Sequence, residues 1–434
     1  MKNQTQKIAP FRALRYSREK VRDLSQVIAP PYDVISGELQ RHLYEQNPYN
    51  VIRLELGERS ETDSSKDNRY TRSAHDFGEW IQNGILARDS DPSFYLYQQE
   101  FTTEGEKRWR RRGFFALRRL EEFGGAVRPH ETTMEGPKKD RLQLMQACHA
   151  NFSPIFMIYP DPKREIVSSL EPFYNTEPII DIVDRDSVCH QLWQVKDPEI
   201  LRAVSEKMEQ KTLLIADGHH RYEVGLAYRR EMLQKYPKAD SQAPFHYILT
   251  YFNEMDDPGL IIFPTHRVVL KQAALDSSRI LTQLRGEFEI ESFQSKNRTE
   301  FLQALEELKG HGSGFGLVMS RDQKYHLVTS QKSKGVLDVI QVHETLFRKI
   351  LGISEQEERN PERVSYVKEE AALFKMVEES SESVGILLNA PRTQEVIEAA
   401  ERGVILPPKS TYFYPKLVTG LVFHRIRPEE TVSI

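Results

Sequence analysis

The sequence predicts a mixed α/β protein, and three observations carry that prediction. Apolar runs of strand length alternate with segments of helical period from one end of the chain to the other. Residues 94–120 have the aromatic alternation and central turn of a β-hairpin. A buried-strand pattern, Leu213-Leu214-Ile215-Ala216, stops at Asp217-Gly218 and opens directly onto a helix through about Met232. At 434 residues the chain has material for two or three domains. We expect an N-terminal α/β region over 1–123, a core over 124–270, and a C-terminal α/β region over 271–434 that contributes a phosphate-binding loop.

The elements follow in order. After Phe11–Tyr16, the paired prolines of Ile28-Ala29-Pro30-Pro31-Tyr32-Asp33 fix an extended turn that orients Tyr32 and Asp33. Residues 60–68 are a polar loop, and a helix over 69–83 ends at Gly84. The hairpin runs out from Phe94 to Phe101, turns at Glu104-Gly105 and returns from Trp109 to Leu120. Its arginine-rich run, Lys107 to Arg112, invites a nucleic-acid reading. Alternate strand residues face opposite ways, so a solvated hairpin face is the reading preferred here. A helix over about 139–150 and a strand over 154–159 follow, then the strand and helix around Asp217. Next come a strand over 245–252 and the stretch 259–267. The C-terminal region alternates helices at 275–287 and 298–308, strands at 314–320 and 324–329, a helix at 363–379, a strand at 384–389 and a helix at 393–402. A final pair centres on Phe413 and Leu421.

Composition narrows the function classes. A formal charge of −4 is a poor background for a nucleic-acid binder. No apolar run approaches the roughly 20 residues of a membrane span, and the first twelve residues lack the apolar stretch of a secretory signal. Cys148 and Cys189 are too few for a disulfide framework or a cysteine-built zinc site. The expected setting is the cytoplasm, without nucleic-acid or membrane partners.

Three motifs carry chemistry. In Asp217-Gly218-His219-His220-Arg221, glycine permits a tight turn and the helix start offers unpaired N–H groups and partial positive charge. Arg221 can grip phosphate oxygens in a fork, the histidines can donate to them, and Asp217 can hold Mg²⁺ or a substrate group. The blander alternative has Asp217 capping the helix and Arg221 paired with Glu223 or another acid. Second, His130-Glu131 precede a helix start, where Glu131 suits a general base. Third, Lys409-Ser410-Thr411 with Lys416 offers two cations and two hydroxyls to a polyanion, without the glycine frame of a P-loop. A metallohydrolase is also weighed, but no helical His-Glu-x-x-His spacing is present.

Ala216 to Glu223, Ile28 to Ile35 and Lys409 to Lys416 together resemble a widespread bacterial and archaeal family catalogued as a conserved domain of unknown function, over about residues 8–424. The centre is similar to the ParB/sulfiredoxin-like superfamily, most of all its free-serine kinases. The order Pro129-His130-Glu131, Arg141, Pro154-Ile155, then Asp217 to Arg221 follows theirs. That resemblance implies a ParB/sulfiredoxin-like core, Glu131 as the base toward the hydroxyl of serine, and a phosphate and substrate site lined by Asp217, His219, His220 and Arg221 with Mg²⁺. His130, Arg141, Gly218, Tyr32 and Asp33 are expected beside it. Sulfiredoxin chemistry needs a cysteine where this chain has His219, and the partitioning-protein branch needs a basic DNA-binding helical domain. The phosphoryl donor stays open among pyrophosphate, ADP and ATP. Lys409, Ser410, Thr411 and Lys416 suit a compact donor held by its phosphates alone. The non-enzyme alternative is a nucleotide- or phosphate-binding regulatory module, and the expectation for the kinase is that residues 131, 217 and 409 converge.

Overall fold

The structure, a computed structural model, describes residues 7–133, 135–271, 276–309, 312–320, 322–330 and 336–432. The fold is mixed α/β. Its chain divides into two compact units: one comprises 1–129, 133–261 and 415–434, and the other 130–132 and 262–414. The partition differs from three consecutive regions because the hairpin and the core strands share one sheet, and His424–Arg425 returns to pair with Ala150–Asn151.

In the first unit a large sheet has the strand order Val127–Arg128, Leu213–Asp217, Ile155–Tyr159, Tyr247–Glu254, Lys107–Arg119, Phe94–Thr103, Cys189–Val195, Ile180–Val183. Ile8–Ala9 adds to the side of Lys107–Arg119. Val127–Arg128 runs parallel to Leu213–Asp217, and Ile155–Tyr159 parallel to Tyr247–Glu254; the other neighbours are antiparallel. Ile155, Met157, Phe114, Leu96, Ile215 and Phe252 form the core on one face, together with Tyr222 and Leu226 from helix His219–Lys235. Burying such side chains is worth about 1.5–3 kcal/mol each before chain entropy is charged against it. Helix Glu135–Cys148 packs along His219–Lys235.

The second unit is a six-stranded antiparallel sheet in the order Glu289–Gln294, Lys324–Ser330, Ser313–Met319, Val384–Leu388, His266–Val269, Val364–Val367. Helices cover both faces, giving two cores: one includes Phe315, Leu317, Leu346 and Ile386, the other Phe301, Leu327, Leu373 and Leu387. Strand Glu289–Gln294 and the helical segment Asp338–Ile350 were not expected, and one expected element is divided. The expected helix 363–379 is a strand, Val364–Val367, followed by a helix, Glu370–Glu378. Pairing with His266–Val269 captures the β-branched start of that segment. The expected helix start at residue 275 lies outside the described residues. Among the described residues no helix is long and apolar enough to cross a membrane.

Candidate functional site

Asp217 ends its strand at an irregularity. Ile215 pairs with Met157 but Asp217 pairs with Phe156, so Ala216 is the extra residue of a bulge. Gly218 then takes φ +95°, a conformation that penalises any Cβ, and starts helix His219–Lys235 without a side-chain cap. A Cβ here would meet the Arg221 guanidinium at 3.0–3.1 Å. Arg221 therefore lies across the turn, where it donates to Asp217 Oδ2 and to the Pro154 carbonyl. Lys416 pairs with Asp217 Oδ1. One carboxylate is thus bracketed by two cations, all three side chains between 11% and 16% exposed. Glu223 is taken by Lys138 and Thr133, so it is Asp217 that pairs with Arg221. His219 is buried and His220 half-buried.

Lys416 is positioned by residues from the hairpin. The Arg111 guanidinium donates to the Pro415 carbonyl at 2.5 Å and to Gln99 Oε1, and Gln99 Nε2 donates to the Lys416 carbonyl at 3.1 Å. Arg111 lies over Phe156. It is fully buried, and burial pulls its pKa below the usual guanidinium range. This corrects the solvated-face reading of Lys107 to Arg112. Arg110 and Arg112 do pair at the surface, with Glu100 and Glu171, but Arg111 points inward.

Nearby in the same unit, the Arg141 guanidinium stacks over the Tyr32 ring at 4.3 Å and pairs with Glu55 at 3.2 Å and with Asp140. Burial works against the Arg141 charge, but Glu55 and Asp140 outweigh it and hold its pKa up. Ser153 donates to Glu55 Oε1. Burial, then the Asp33 charge, pushes the Tyr32 phenol far above its ordinary value, against the pull of Arg221 and Arg141. Asp33 itself is exposed. A cavity of about 40 Å³ lies among Glu55, Arg141, Ser153 and Arg221, large enough for ordered water.

The other motif residues lie in the second unit. Glu131 Oε1 accepts from the Ser410 amide, the Thr411 amide and the Thr411 hydroxyl, each at 3.1 Å. Two successive amides aimed at one carboxylate form an anion-binding nest, and Lys409 precedes them at φ +57°. The Thr411 hydroxyl donates to Glu131, so it accepts from Nε2 of the fully buried His130 at 2.7 Å. The backbone closes the loop, with the Leu406 amide donating to the His130 carbonyl at 2.7 Å. Glu131, from this chain itself, thus occupies the Ser410 and Thr411 amides and the Thr411 hydroxyl, while the Ser410 hydroxyl donates to the Pro407 carbonyl at 2.6 Å.

The structure therefore brings Tyr32, Arg141, Asp217, Gly218, Arg221 and Lys416 into one unit, with His219 and His220 on the adjoining helix turn. His130, Glu131, Lys409, Ser410 and Thr411 fall in the other. Sequence reasoning missed Glu55, Gln99 and Arg111. Arg111 carried a signal, since it faces opposite to Arg110 and Arg112 on its strand; Glu55 carried none. Burial raises the thiols of Cys148 to about 12 and Cys189 to about 11, so neither is a nucleophile at neutral pH.

Among the described residues no group of three or more His, Cys, Asp or Glu side chains is placed to hold a metal ion. Asp217, already between two cations, makes no protein-built cage. Mg²⁺ usually keeps several waters and takes one or two carboxylates, and Asp217 is the carboxylate that this turn offers.

The family model described as "Protein of unknown function (DUF1015)" matches residues 8–349. No curated protein matches the sequence. Among solved structures, a conserved hypothetical protein from Pyrococcus furiosus is similar at a TM-score of 0.35, with 14% identity, over 71% of this chain and 95% of its own. A free serine kinase in complex with AMP has a TM-score of 0.37 and 13% identity, over 74% of this chain and 93% of its own. SbnI with C-terminal truncation from Staphylococcus aureus has a TM-score of 0.37 and 10% identity, over 73% and 89%.

Proposed function

We propose that this chain, which belongs to the family described as "Protein of unknown function (DUF1015)", is a phosphotransferase that phosphorylates the hydroxyl of free L-serine. The observation that carries the reading is Asp217 held between Arg221 and Lys416 at a glycine-started helix. Phosphoryl transfer asks for positioning and charge stabilisation more than for unusual groups. Two cations beside a helix N-terminus supply a cradle for phosphate oxygens, and Asp217 keeps those cations together until the substrate arrives.

In this reading Glu131 takes the proton from the serine hydroxyl as its oxygen attacks phosphorus. The bond from phosphorus to the donor's bridging oxygen breaks, and O-phosphoserine and the shortened donor leave. The three donors on Glu131 Oε1 fix the carboxylate's orientation. The donor is pyrophosphate, ADP or ATP, and Lys416 and Arg221 suit any of them because they address phosphate alone. Mg²⁺ belongs to the proposal as an ion carried by the donor, supplying further charge neutralisation, with Asp217 its one protein carboxylate. The ParB/sulfiredoxin-like relationship of the core and a cytoplasmic setting belong to the same reading.

A second reading is a phosphate-binding regulatory module. What favours it is that the Ser410-Thr411 nest is filled by Glu131 itself, as in a switch whose internal anion is displaced by an external one.

The two separate in one assay. Protein, Mg²⁺ and L-serine are incubated in turn with pyrophosphate, ADP and ATP, and phosphoserine is followed by ³¹P NMR. The expected result is product from one donor, lost with EDTA and reduced about 10²–10⁴-fold in Glu131→Gln. No product from any donor, with phosphate binding retained, overturns the kinase and leaves the regulatory module.

A further inference from the structure

Within the 262–414 unit lies a cavity of about 580 Å³, and of the residues assigned above only Ser410 lines it. Its size falls within the range of small-molecule sites. The walls come from the ends of the sheet strands, from Asp338 at the start of a helix, and from Asn389 to Arg392, which lead from strand Val384–Leu388 into helix Thr393–Glu401.

The balance of charge on these walls is informative. Arg267, Lys309 and Arg392 line the cavity, and among the described residues none of the three is ion-paired to a carboxylate. Arg267 is 1% exposed. Its terminal nitrogens donate to the Thr265 and Lys409 carbonyls, and among the described residues its Nε has no hydrogen-bond partner. Glu358 and Glu131 favour its charge through space, and a direct anionic partner in the cavity would offset more of the cost of burying it. Burial lowers its pKa to about 10, in the same sense. Four acids line the walls, Glu289, Asp338, Glu395 and Glu398. Asp338 accepts from Ser313 and the Gly314 amide, Glu395 from the Arg392 amide, and Glu398 from Gln394. The nine-residue helix Thr393–Glu401 turns its positive end to the same wall. Leu308, Val336 and Leu388 supply apolar surface to the same cavity.

We propose that this cavity is a second small-molecule site, selective for an organic phosphate: the phosphate is taken by Arg267, Arg392 and Lys309 at the helix start, and the organic body lies on Leu308, Val336 and Leu388. The site is independent of the serine-kinase reading. It nevertheless touches the Lys409–Thr411 loop from behind, because Arg267 holds the Lys409 carbonyl and Ser410 lines the wall.

The test is calorimetric titration of the full chain with AMP, ribose 5-phosphate, citrate and inorganic phosphate. Wild type, the double variant Lys309→Glu/Arg392→Glu and Lys416→Ala are compared, with circular-dichroism melting to confirm that all three fold. The expected result is saturable binding of AMP or ribose 5-phosphate, weakened at least tenfold in the double variant and kept in Lys416→Ala. Binding lost in Lys416→Ala but kept in the double variant overturns the proposal, because the phosphate then sits with Asp217. So does equal binding of inorganic phosphate, a preference for citrate, or no saturable binding of either organic phosphate. Serine-kinase activity is scored separately and bears on none of these outcomes.

Discussion

Arg111 donates to the carbonyl oxygen of Pro415 at 2.5 Å from a side chain that is entirely buried. Three hundred residues of chain are closed by that contact, and the next residue is the lysine that pairs with Asp217. A buried cation whose partners are a carbonyl, an amide oxygen and an aromatic face is a fixed strut, because no surface charge can replace it.

Arg111→Ala should therefore destabilise the 415–434 return strongly. It takes the donor from the Pro415 carbonyl and from Gln99 Oε1 in the interior and opens a cavity over Phe156. A loss of about 3 kcal/mol is expected from breaking a buried charged network. Urea unfolding followed by fluorescence measures it; a wild-type midpoint would show that Lys416 is held by other means.

Gly218→Ala tests the turn. The positive φ adds strain and the new methyl group crowds Arg221 at 3.0–3.1 Å. A cost above about 1 kcal/mol is expected, with phosphoryl transfer falling further than stability because Arg221 must move off Asp217. Equal activity in the variant would remove Arg221 from the transfer step.

Thr411→Val removes the hydroxyl between His130 and Glu131 at nearly constant volume. The buried His130 Nε2 loses its acceptor, so about 1–3 kcal/mol of stability should go. Combined with Glu131→Gln in a double-mutant cycle, the pair should show a coupling of about 1 kcal/mol or more. Strict additivity would mean that the three groups do not act as one network.

How much of this was legible in the sequence depends on how local each signal is. The Asp217-Gly218 junction could be read because an apolar run, a glycine and a helix start are neighbours in the chain. The 94–120 hairpin was legible for the same reason. Strand Cys189–Val195 was not, since its partner is the edge of that hairpin, some ninety residues earlier. Val364–Val367 ran on into the helix that follows, and only pairing with His266–Val269 separates them. Lys409 to Thr411 read as a receiver of foreign anions; the Ser410 and Thr411 amides are turned to Glu131, a contact across 279 and 280 positions that no spacing rule reaches. Glu55 was invisible for the same reason, as its charge is explained only by Arg141 and Ser153.

Acid should weaken both units through histidines buried neutral. Burial lowers His424, in the first unit, and His266, in the second, to about 4. In the unfolded chain they titrate near 6.5. Between those values the unfolded state binds more protons, so the stability they confer is fully present above about pH 6.5 and is lost as pH falls toward 4. Each contributes a slope of up to about 1.4 kcal/mol per pH unit in that window. Melting curves from pH 7 to 4.5 should fall steeply, and His424→Phe should flatten them; an unchanged slope in that variant would assign the acid lability to carboxylates instead.

Asp338 works in the opposite sense. Burial pushes its carboxyl up to about 6, despite hydrogen bonds from Ser313 and the Gly314 amide. The unfolded value is near 3.9. The folded state therefore holds the proton more tightly, and the stability this group adds is present below about pH 4 and lost as pH rises through 6. At pH 7 the ionised, buried form costs on the order of 3 kcal/mol. Asp338→Asn keeps an oxygen to accept from Ser313 and Gly314 and removes the charge. It should raise the melting temperature at pH 7 by several degrees, with the gain closing toward pH 4. Asp338 also lines the cavity, where its negative charge opposes a bound phosphate. The same variant should then change the affinity for AMP, and a less stable Asn variant at pH 7 would show that the charge is compensated within the fold.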